Sequence, residues 1–455
     1  MRKLLYILML PVLASCSDKF LDPKPNSNIL TPSRPEDFQR LLDNYEILGR
    51  SASLPDLAAD DYFINSYSFW QSSRSAVERA SYVWEQDVYG GEAEIEDWEG
   101  PYEAVFYVNN VIAELNRQEG PLTGDMRDIY GQALLHRAKA YYDLVSNFSA
   151  PFDPATQEQD LGVPLRLDPS IDYTVQRSSV KACYDQIFGD VHASLEYLYY
   201  NVPLAQRNRP TRLAAFSLLA RIHLSRREYT QAHRYADSAL RYYDVLIDYN
   251  TVSTTSNTPF TRTNDELIMY GTGVRYNNLA RRNTSGSVFV DTVLIAMYDQ
   301  NDLRLQVYYR REASGYHTHK TGYNGTGLYA FSGFAVDELY LIKAECLARE
   351  DKLSEAAGWL DRLLVKRYKT GTYTSLQFGN KAEALQKVLG ERRKELVWRV
   401  LRWNDIKRLN KEGANITLRR KLDDQHFTLA PNSPRYIFNI PQNEINRSNI
   451  TQNQR

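Results

Sequence analysis

The spacing of apolar residues in the first third of the chain is the feature that most restricts its fold. Leu134, Ala138, Tyr141, Val145 and Phe148 follow one another at intervals of four, three, four and three residues. This spacing places them on one face of an α-helix, which turns once every 3.6 residues. Helical spacing dominates residues 36–150 and returns at residues 180–200. The pattern predicts a mostly α-helical protein.

Two later segments share one internal pattern of small and apolar residues. They carry Ala220, His223, Ala232, Ala236 and Ala239 in the first, and Ala344, Leu347, Ala356, Leu360 and Leu363 in the second. In both segments the small residue of the first helix precedes the small residue of the second by the same interval. That interval fits the tetratricopeptide helix-turn-helix, in which small side chains let paired helices approach closely. The copies lie far more than one repeat of about 34 residues apart, so we expect intervening structure to hold them together. Residues 248–333, rich in Thr, Asn, Gly and Tyr, predict loops and short strands on this helical frame, where binding commonly occurs.

The composition excludes some functions and favours others only weakly. Lys and Arg number 55 against 56 Asp and Glu, which argues against a nucleic-acid-binding surface as the main function. A chain of 455 residues can bury a large core without disulfides or a metal, and it has only three cysteines. Tyrosine occurs 33 times. Its apolar ring and polar tip suit a surface that meets sugars or peptides, although tyrosine is equally an ordinary packing residue.

The N-terminus predicts export and lipidation. Arg2 and Lys3 precede an apolar run over residues 4–13, which ends in Leu13-Ala14-Ser15-Cys16, similar to a bacterial lipobox. We therefore predict a lipoprotein signal peptide over residues 1–15, lipidation of Cys16, a proline-rich tether over residues 16–35 and a folded domain over residues 36–455. The alternative is a plain secretory signal in which Cys16 is incidental.

Several short motifs occur in a fixed order along the whole chain. They are Trp98-x3-Tyr102-x6-Asn109, Arg137-Ala138-x2-Tyr141-x-Asp143-Leu144, Gly162-Val163-Pro164-Leu165, Asp302-x-Arg304, Glu338-x-Tyr340-Leu341-x2-Ala344-Glu345, Glu391-Arg392-Arg393-x-Glu395-Leu396, Arg402-Trp403-x-Asp405-x2-Arg408 and Ile440-Pro441-x2-Glu444-Ile445. Each motif alone is weak, but together, after a lipobox, the chain resembles the RagB/SusD outer-membrane lipoproteins of Bacteroidetes nutrient-uptake systems.

The resemblance implies a fold, a location and a partner. The implied fold is SusD-like, with four tetratricopeptide-like helix pairs as scaffold and a loop-rich region with short strands. The implied protein lies on the outer membrane facing the cell exterior, without cofactor or catalysis. It binds an oligosaccharide, or occasionally a peptide, for a TonB-dependent SusC-like transporter. Two other classes stay open: a tetratricopeptide-type scaffold that recruits proteins, and a surface glycoside hydrolase using a carboxylate pair such as Asp60-Asp61.

Searches for catalytic and metal motifs are mostly negative. The sequence has no nucleophile elbow, no H-E-x-x-H, no P-loop and no paired C-x-x-C. His317-x-His319 could place two imidazoles on one side of a strand but has no obvious third ligand, so we predict no metal. The acidic residues 92–99 are better explained as the start of a helix than as a calcium loop. Cys183 and Cys346 fit apolar helical faces better than a disulfide.

Aromatic residues among polar ones mark the candidate ligand site. A glycan site needs ring faces for pyranose rings and polar side chains for hydroxyls. Three regions offer both. Residues 62–71 contain five aromatic rings together with Asn, Ser and Gln, in a stretch without helical period. Residues 316–331 carry further rings among glycines, and residues 275–278 form a third patch. We predict Tyr67, Trp70, Tyr276 and Tyr323 as ligand-binding residues, and Phe63, Phe69 and Phe331 as core.

Overall fold

The structure is a computed structural model that describes residues 32–170, 172–277 and 286–455. The predicted signal peptide, Cys16 and most of the predicted tether therefore lie outside the described residues. Seventeen α-helices lie within them: α1 Pro35–Leu42, α2 Tyr45–Leu48, α3 Leu54–Ala58, α4 Tyr67–Ser72, α5 Ala76–Tyr82, α6 Glu96–Asn116, α7 Gly124–Phe148, α8 Val180–Tyr197, α9 Arg212–Ser225, α10 Tyr229–Leu240, α11 Thr292–Ile295, α12 Arg304–Val307, α13 Val336–Arg349, α14 Leu353–Leu364, α15 Lys381–Glu395, α16 Arg402–Lys411 and α17 Gln442–Ser448. The predicted mostly helical fold is confirmed.

The strands are short and form two-stranded pairs rather than one sheet. They are β1 Arg50–Ser51, β2 Tyr62–Ile64, β3 Leu161–Pro164, β4 Arg177–Ser179, β5 Leu267–Met269, β6 Thr272–Gly273, β7 Val288–Val290, β8 Tyr309–Arg311, β9 His317–His319, β10 Phe334–Ala335, β11 Leu418–Leu422 and β12 Gln425–Leu429. β1 pairs with β6 in parallel, and the pairs β2–β7, β3–β4, β5–β10, β8–β9 and β11–β12 are antiparallel. Five of these strands lie in the predicted loop-rich region.

The two segments with the shared pattern form the helix pairs α9–α10 and α13–α14. Their turns match, because Arg227 and Asp351 both adopt the left-handed conformation, with φ of 65° and 61°. The backbone N–H of Glu228 donates to the carbonyl of His223, and that of Lys352 to Leu347, each at 2.9 Å. α10 also packs directly on α13. The expectation that intervening structure holds the copies together is therefore incomplete, since the two helix pairs also contact each other directly.

The residues of the first motifs hold the chain between α7 and α8 against the helices. The side chain of Asn109 on α6 donates to the carbonyl of Arg166 at 2.9 Å, and the hydroxyl of Tyr141 on α7 donates to the same carbonyl at 2.5 Å. Arg137 donates to the Asn109 side chain at 3.0 Å and pairs with Asp190 on α8 at 2.7 and 2.8 Å. These bonds tie three helices to one loop.

A buried ion-pair network joins the loop-rich region to α15. The guanidinium of Arg304 contacts Asp302, Glu391 and Glu395, with nitrogen–oxygen distances between 2.5 and 2.9 Å, and its side chain is fully buried. Arg367, which follows α14, donates to the second oxygen of Glu395 at 2.7 Å. The charged motifs thus pair with one another and fix how the helices pack.

Candidate ligand-binding surface

The segment with the densest aromatic content forms a strand and a short helix. Residues Tyr62–Ile64 form β2, and Tyr67–Ser72 form α4. The helix begins after Ser66, whose hydroxyl accepts a hydrogen bond from the backbone N–H of Phe69 at 3.3 Å. The prediction of a non-helical stretch is wrong for α4, because a helix of six residues is too short to show an apolar period.

Tyr67 and Trp70 form a half-buried pair of rings on α4. They lie three residues apart and therefore share one side of the helix. Their ring centroids are 5.3 Å apart, and the ring planes are inclined by 41°. The indole N–H of Trp70 donates to the carbonyl of Arg79 on α5 at 3.2 Å. This bond fixes the indole against α5, so the part of the ring that stays exposed is held in one orientation.

Strand pairing brings the first and second predicted aromatic regions together. β2 pairs antiparallel with β7, which sets Phe63 opposite Phe289. Tyr316, in the turn between β8 and β9, lies 5.1 Å from Phe63 and 5.0 Å from Phe289 between ring centroids. Tyr316 is 39% exposed, whereas Phe63 is half-buried. Tyr316 belongs to the second predicted aromatic region but is not among the predicted ligand-binding residues, because its contact with Phe63 depends on the β2–β7 register.

Tyr276 is half-buried, and its hydroxyl is engaged. It donates to the carboxylate of Asp97 at 2.5 Å, and the same carboxylate accepts the backbone N–H groups of Ser53 and Leu54 at 2.5 and 2.8 Å. Burial raises the pKa of Asp97 to about 6, against the lowering effect of these hydrogen bonds. The hydroxyl of Tyr276 is therefore already engaged within the protein. Asn278, the last residue of this predicted patch, lies outside the described residues.

Helix α5 holds both α4 and the segment of Tyr276. Trp70 donates to the carbonyl of Arg79, and the backbone N–H of Asn277 donates to the side chain of Glu78, the neighbouring residue of α5, at 2.6 Å. We use the name aromatic surface for Phe63, Tyr67, Trp70, Tyr276 and Tyr316, which belong to β2 and the turn beside it, to α4, and to the segment held by α5. Exposed polar side chains accompany it, namely Asn65, Gln71, Arg275 and Asn277.

Tyr323 lies in the core, away from the aromatic surface. Its side chain is 2% exposed, and its hydroxyl contacts Glu266 and the hydroxyl of Tyr249. The guanidinium of Arg399 lies 4.0 Å from the ring centroid. Phe331 is 4% exposed, as predicted for a core residue, whereas the same prediction is wrong for Phe63 and Phe69, which are half-buried. The glycine-rich composition around Tyr323 indicated a loop, but composition does not reveal which rings of a loop turn inward.

Arg420 is a buried residue that holds the backbone at the start of β2, and its role was not predicted from the sequence. It lies on β11, is 5% exposed, and donates to the backbone carbonyls of Ala59 and Tyr62 at the entry to β2. Its guanidinium lies 4.4 Å from the ring centroid of Tyr82. The sequence signal for its burial is the alternation of side chains along β11, which places Arg420 on the inward face with Leu418 and Leu422.

The residues weighed as possible metal ligands and set aside in the sequence have other roles in the structure. His319 is 6% exposed and packs against Trp398 with ring centroids 5.5 Å apart. Glu92 accepts the backbone N–H of Ala76 at 2.5 Å and so caps α5. Cys183 and Cys346 are both buried and unpaired.

Among the described residues, one group of three acidic side chains is close enough to share a metal ion. Glu266, Asp337 and Glu395 bring ligand atoms within 4.8 Å of one another. Arg367 donates to Glu266 and Glu395 at 2.7 Å, and Arg399 donates to Asp337 at 2.6 Å. These guanidinium groups neutralise the carboxylates, so the grouping is part of the ion-pair network.

The Asp60-Asp61 pair is occupied by ion pairs at Asp60 and by burial at Asp61. Asp60 binds Arg402 at 2.7 and 2.9 Å, and Arg393 at 3.2 Å. Burial acts to raise the pKa of Asp60, but the two guanidinium groups outweigh it and hold the pKa below its usual range. Asp61 is 1% exposed, and burial together with the Asp60 charge raises its pKa to about 7. Asp61 is thus a buried structural residue, and Asp60 is a partly exposed one whose carboxylate is held by two arginines.

Comparison with known proteins identifies the family. Residues 19–224 match the SusD-like family described as starch-binding and associating with the outer membrane, and residues 306–455 match the SusD family. The chain therefore belongs to the RagB/SusD family. No curated protein matches the chain. Among the described helices, none combines the length and apolar character needed to cross a membrane.

Several solved structures share the fold at low sequence identity. A putative sugar-binding protein from Bacteroides vulgatus has 21% identity and a TM-score of 0.74, with 93% of this chain and 99% of that chain covered. A SusD superfamily protein from Bacteroides thetaiotaomicron has 19% identity and a TM-score of 0.74, with 93% and 100% covered. Surface glycan-binding protein A from Bacteroides fluxus has 16% identity and a TM-score of 0.68, with 93% and 99% covered. At these identities the likeness establishes the fold alone.

Proposed function

We propose that the chain is a lipid-anchored glycan-binding protein of the outer membrane. It captures an oligosaccharide at the cell surface and delivers it to a partner TonB-dependent, SusC-like transporter. The observation that carries the binding proposal is the aromatic surface, in which the exposed part of the Trp70 indole is fixed by the hydrogen bond to Arg79. Family membership supports carbohydrate binding in general, and the lipobox at Cys16 supports the anchor.

The chemistry of the aromatic surface suits sugars. A pyranose ring has apolar faces of C–H groups, which pack on Tyr and Trp rings, and a rim of hydroxyls that both donate and accept hydrogen bonds. Tyr67, Trp70 and Tyr316 supply partly exposed rings, and Asn65 and Gln71 supply amide donors and acceptors nearby. A site of a few oriented rings with polar side chains at its edge recognises shape without needing a charged ligand.

The Asp60-Asp61 pair, which the sequence offers for hydrolysis, does not suit that chemistry. A glycosidase needs two carboxyl groups facing a sugar across a cleft. Asp60 is held by two arginines, and Asp61 is buried. We infer that the protein releases its ligand chemically unchanged.

Affinity electrophoresis tests the glycan proposal. Gels containing soluble starch, xylan, mannan, galactan or arabinan should retard the wild type in at least one case. The double variant Tyr67→Ala/Trp70→Ala should bind that polysaccharide at least about tenfold more weakly, because two stacking faces are lost. Tyr242→Ala is the matched control, since Tyr242 is 53% exposed but lies outside the aromatic surface. Retardation by no polysaccharide would contradict glycan binding, and time-dependent release of sugars would contradict the absence of catalysis.

Membrane fractionation tests the anchor. Wild-type protein expressed in a Bacteroides host should sediment with the outer membrane, and Cys16→Ala should remain soluble because no lipid is attached. Ser17→Ala, one residue further on, is the control and should sediment like the wild type. Equal membrane association of Cys16→Ala and wild type would show that the lipobox prediction is wrong.

A further inference from the structure

A groove lies between α6 and α17 and shares no residue with the aromatic surface. Its volume is about 280 Å³, and the chain between β3 and β4 closes one side. This is just below the range of about 300 to 1,000 Å³ typical of pockets for drug-sized ligands. The groove therefore has room for a ligand of about one sugar ring rather than for an extended chain.

One wall of the groove is a row of aromatic rings on α6. Trp98, Tyr102 and Phe106 are four residues apart and so share one face of the helix. Trp98 is 3% exposed, and its ring centroid lies 4.9 Å from that of Tyr102. The Tyr102 hydroxyl donates to the carbonyl of Pro164 at 2.9 Å, which fixes this ring. Phe106 ends the row and is 42% exposed. A large apolar ring open to solvent inside a cavity offers a stacking face.

The other side chains of the groove are polar and carry both signs of charge. Glu99 and Glu103 stand beside the aromatic row, and Glu444 and Arg447 face it from α17. Among the residues that the structure describes, the side chains of Glu99, Glu103 and Arg447 make no hydrogen bond or ion pair. Burial and the neighbouring Glu94 raise the pKa of Glu99. Acceptors and a donor thus stand side by side without hydrogen-bonded protein partners, although the charges of Glu99 and Arg447 attract each other.

We propose that this groove is a second carbohydrate subsite that binds a single, uncharged pyranose unit. The ring stacks on Phe106, and its hydroxyls donate to Glu103 and accept from Arg447. Hydroxyls suit this mixed lining because each can donate and accept, whereas an anion would meet the glutamates and a cation would meet Arg447. The inference adds to the proposed function, on which its carbohydrate class rests.

Titration with methyl glycosides tests the groove separately from the aromatic surface. Methyl glucoside, galactoside, mannoside, xyloside and N-acetylglucosaminide are followed by saturation-transfer NMR. At least one should bind the wild type and should bind Phe106→Ala at least about tenfold more weakly. Trp70→Ala is titrated in parallel to show any binding of the same sugar at the aromatic surface. Phe106→Leu, which keeps the apolar volume but removes the ring, should weaken binding similarly. Arg447→Gln should weaken it less, and Tyr242→Ala should have no effect.

The outcomes distinguish the two proposals. Equal binding by wild type and Phe106→Ala, or binding of no methyl glycoside, would overturn the groove proposal and leave the polysaccharide test of the aromatic surface intact. Loss of methyl glycoside binding in Trp70→Ala alone would likewise overturn it and assign that sugar to the aromatic surface. Loss in Phe106→Ala and Phe106→Leu, with folding unchanged by circular dichroism, would establish the groove even if no polysaccharide is retarded.

Discussion

Large side chains are buried and fully paired in the helical scaffold, whereas at the aromatic surface they are partly exposed. In the scaffold, Arg367 is fully buried and each end of its guanidinium has a partner in Glu266, Glu395 or the carbonyl of Ile247. At the aromatic surface, Trp70 and Tyr316 keep part of their rings in solvent. A buried, fully paired group is costly to remove, whereas a half-exposed ring contributes less to folding. Substitutions in the two regions should therefore separate stability from binding.

The largest expected effect comes from breaking the ion-pair network of the scaffold. Arg367→Ala leaves Glu266 and one oxygen of Glu395 buried without their cation, and should lower the free energy of unfolding by about 3 to 5 kcal/mol. Urea unfolding followed by circular dichroism measures this change. Arg362→Ala is the control, because its pair with Asp244 is about half exposed and should contribute less than about 1 kcal/mol. Similar losses in the two variants would contradict the contrast between scaffold and surface.

Close packing between the helix pairs gives the next effect. Ala344 is fully buried on α13, which packs against α10, α14 and α15. Ala344→Leu adds volume where helices approach closely and should cost about 1 to 3 kcal/mol. Ala382→Leu, at an exposed position of α15, should change stability by less than about 0.5 kcal/mol in the same thermal melts. Equal melting temperatures for Ala344→Leu and the wild type would refute the close-packing assignment.

These scaffold features could be predicted because they depend on local patterns. The spacing of Ala344 and Ala356 repeats that of Ala220 and Ala232, and small residues at helical spacing indicate helices in contact. That α10 packs on α13 could not be predicted, because the partner of an apolar face is chosen by the tertiary structure rather than by its own period.

The aromatic surface was predicted only in part for the same reason. Tyr67 and Trp70 were found from local composition, whereas Tyr316 joins them through the pairing of β2 with β7, which no short stretch of sequence specifies. Tyr323 has neighbours similar to those of Tyr316 but turns inward toward Glu266. Residue type alone does not separate a ring that stacks on a ligand from one that donates a hydrogen bond in the core.

A smaller effect is expected in the pH dependence of stability. It should distinguish Asp60 and Asp61, just before β2, from the paired carboxylates of the scaffold. Burial raises the pKa of Asp61 to about 7, with Asp60 and Asp56 adding to the rise and Arg393 and Arg402 opposing it. In the unfolded chain the group ionises near its ordinary value of 3.8. Between these values the folded state keeps a proton that the unfolded state loses. The stability contributed by this proton is therefore lost as pH rises toward 7.

Asp61→Asn tests this sign. The variant cannot ionise, so its melting temperature relative to the wild type should rise from about pH 5 to about pH 8, by the equivalent of about 1 to 3 kcal/mol. The contribution of Asp60 to the pH dependence of stability has the opposite sign and falls at lower pH. Its depressed pKa favours the folded state above about pH 4, and this stability is lost in acid. Parallel pH profiles for wild type and Asp61→Asn would contradict the raised pKa.

The smallest change in stability is expected for Trp70, and it contrasts most sharply with that of a buried tryptophan of the scaffold, Trp403. Trp403 is fully buried, so Trp403→Ala should cost about 3 to 5 kcal/mol. Trp70→Ala removes a half-buried ring and one hydrogen bond to Arg79, and should cost only about 1 kcal/mol. The same Trp70→Ala protein should bind polysaccharide about tenfold more weakly, because the exposed part of the indole is the stacking face. Thermal melts and affinity gels on both variants separate the two roles. If Trp70→Ala melted as early as Trp403→Ala, the indole would belong to the core, and the aromatic surface would have to be assigned to Tyr67 and Tyr316 without it.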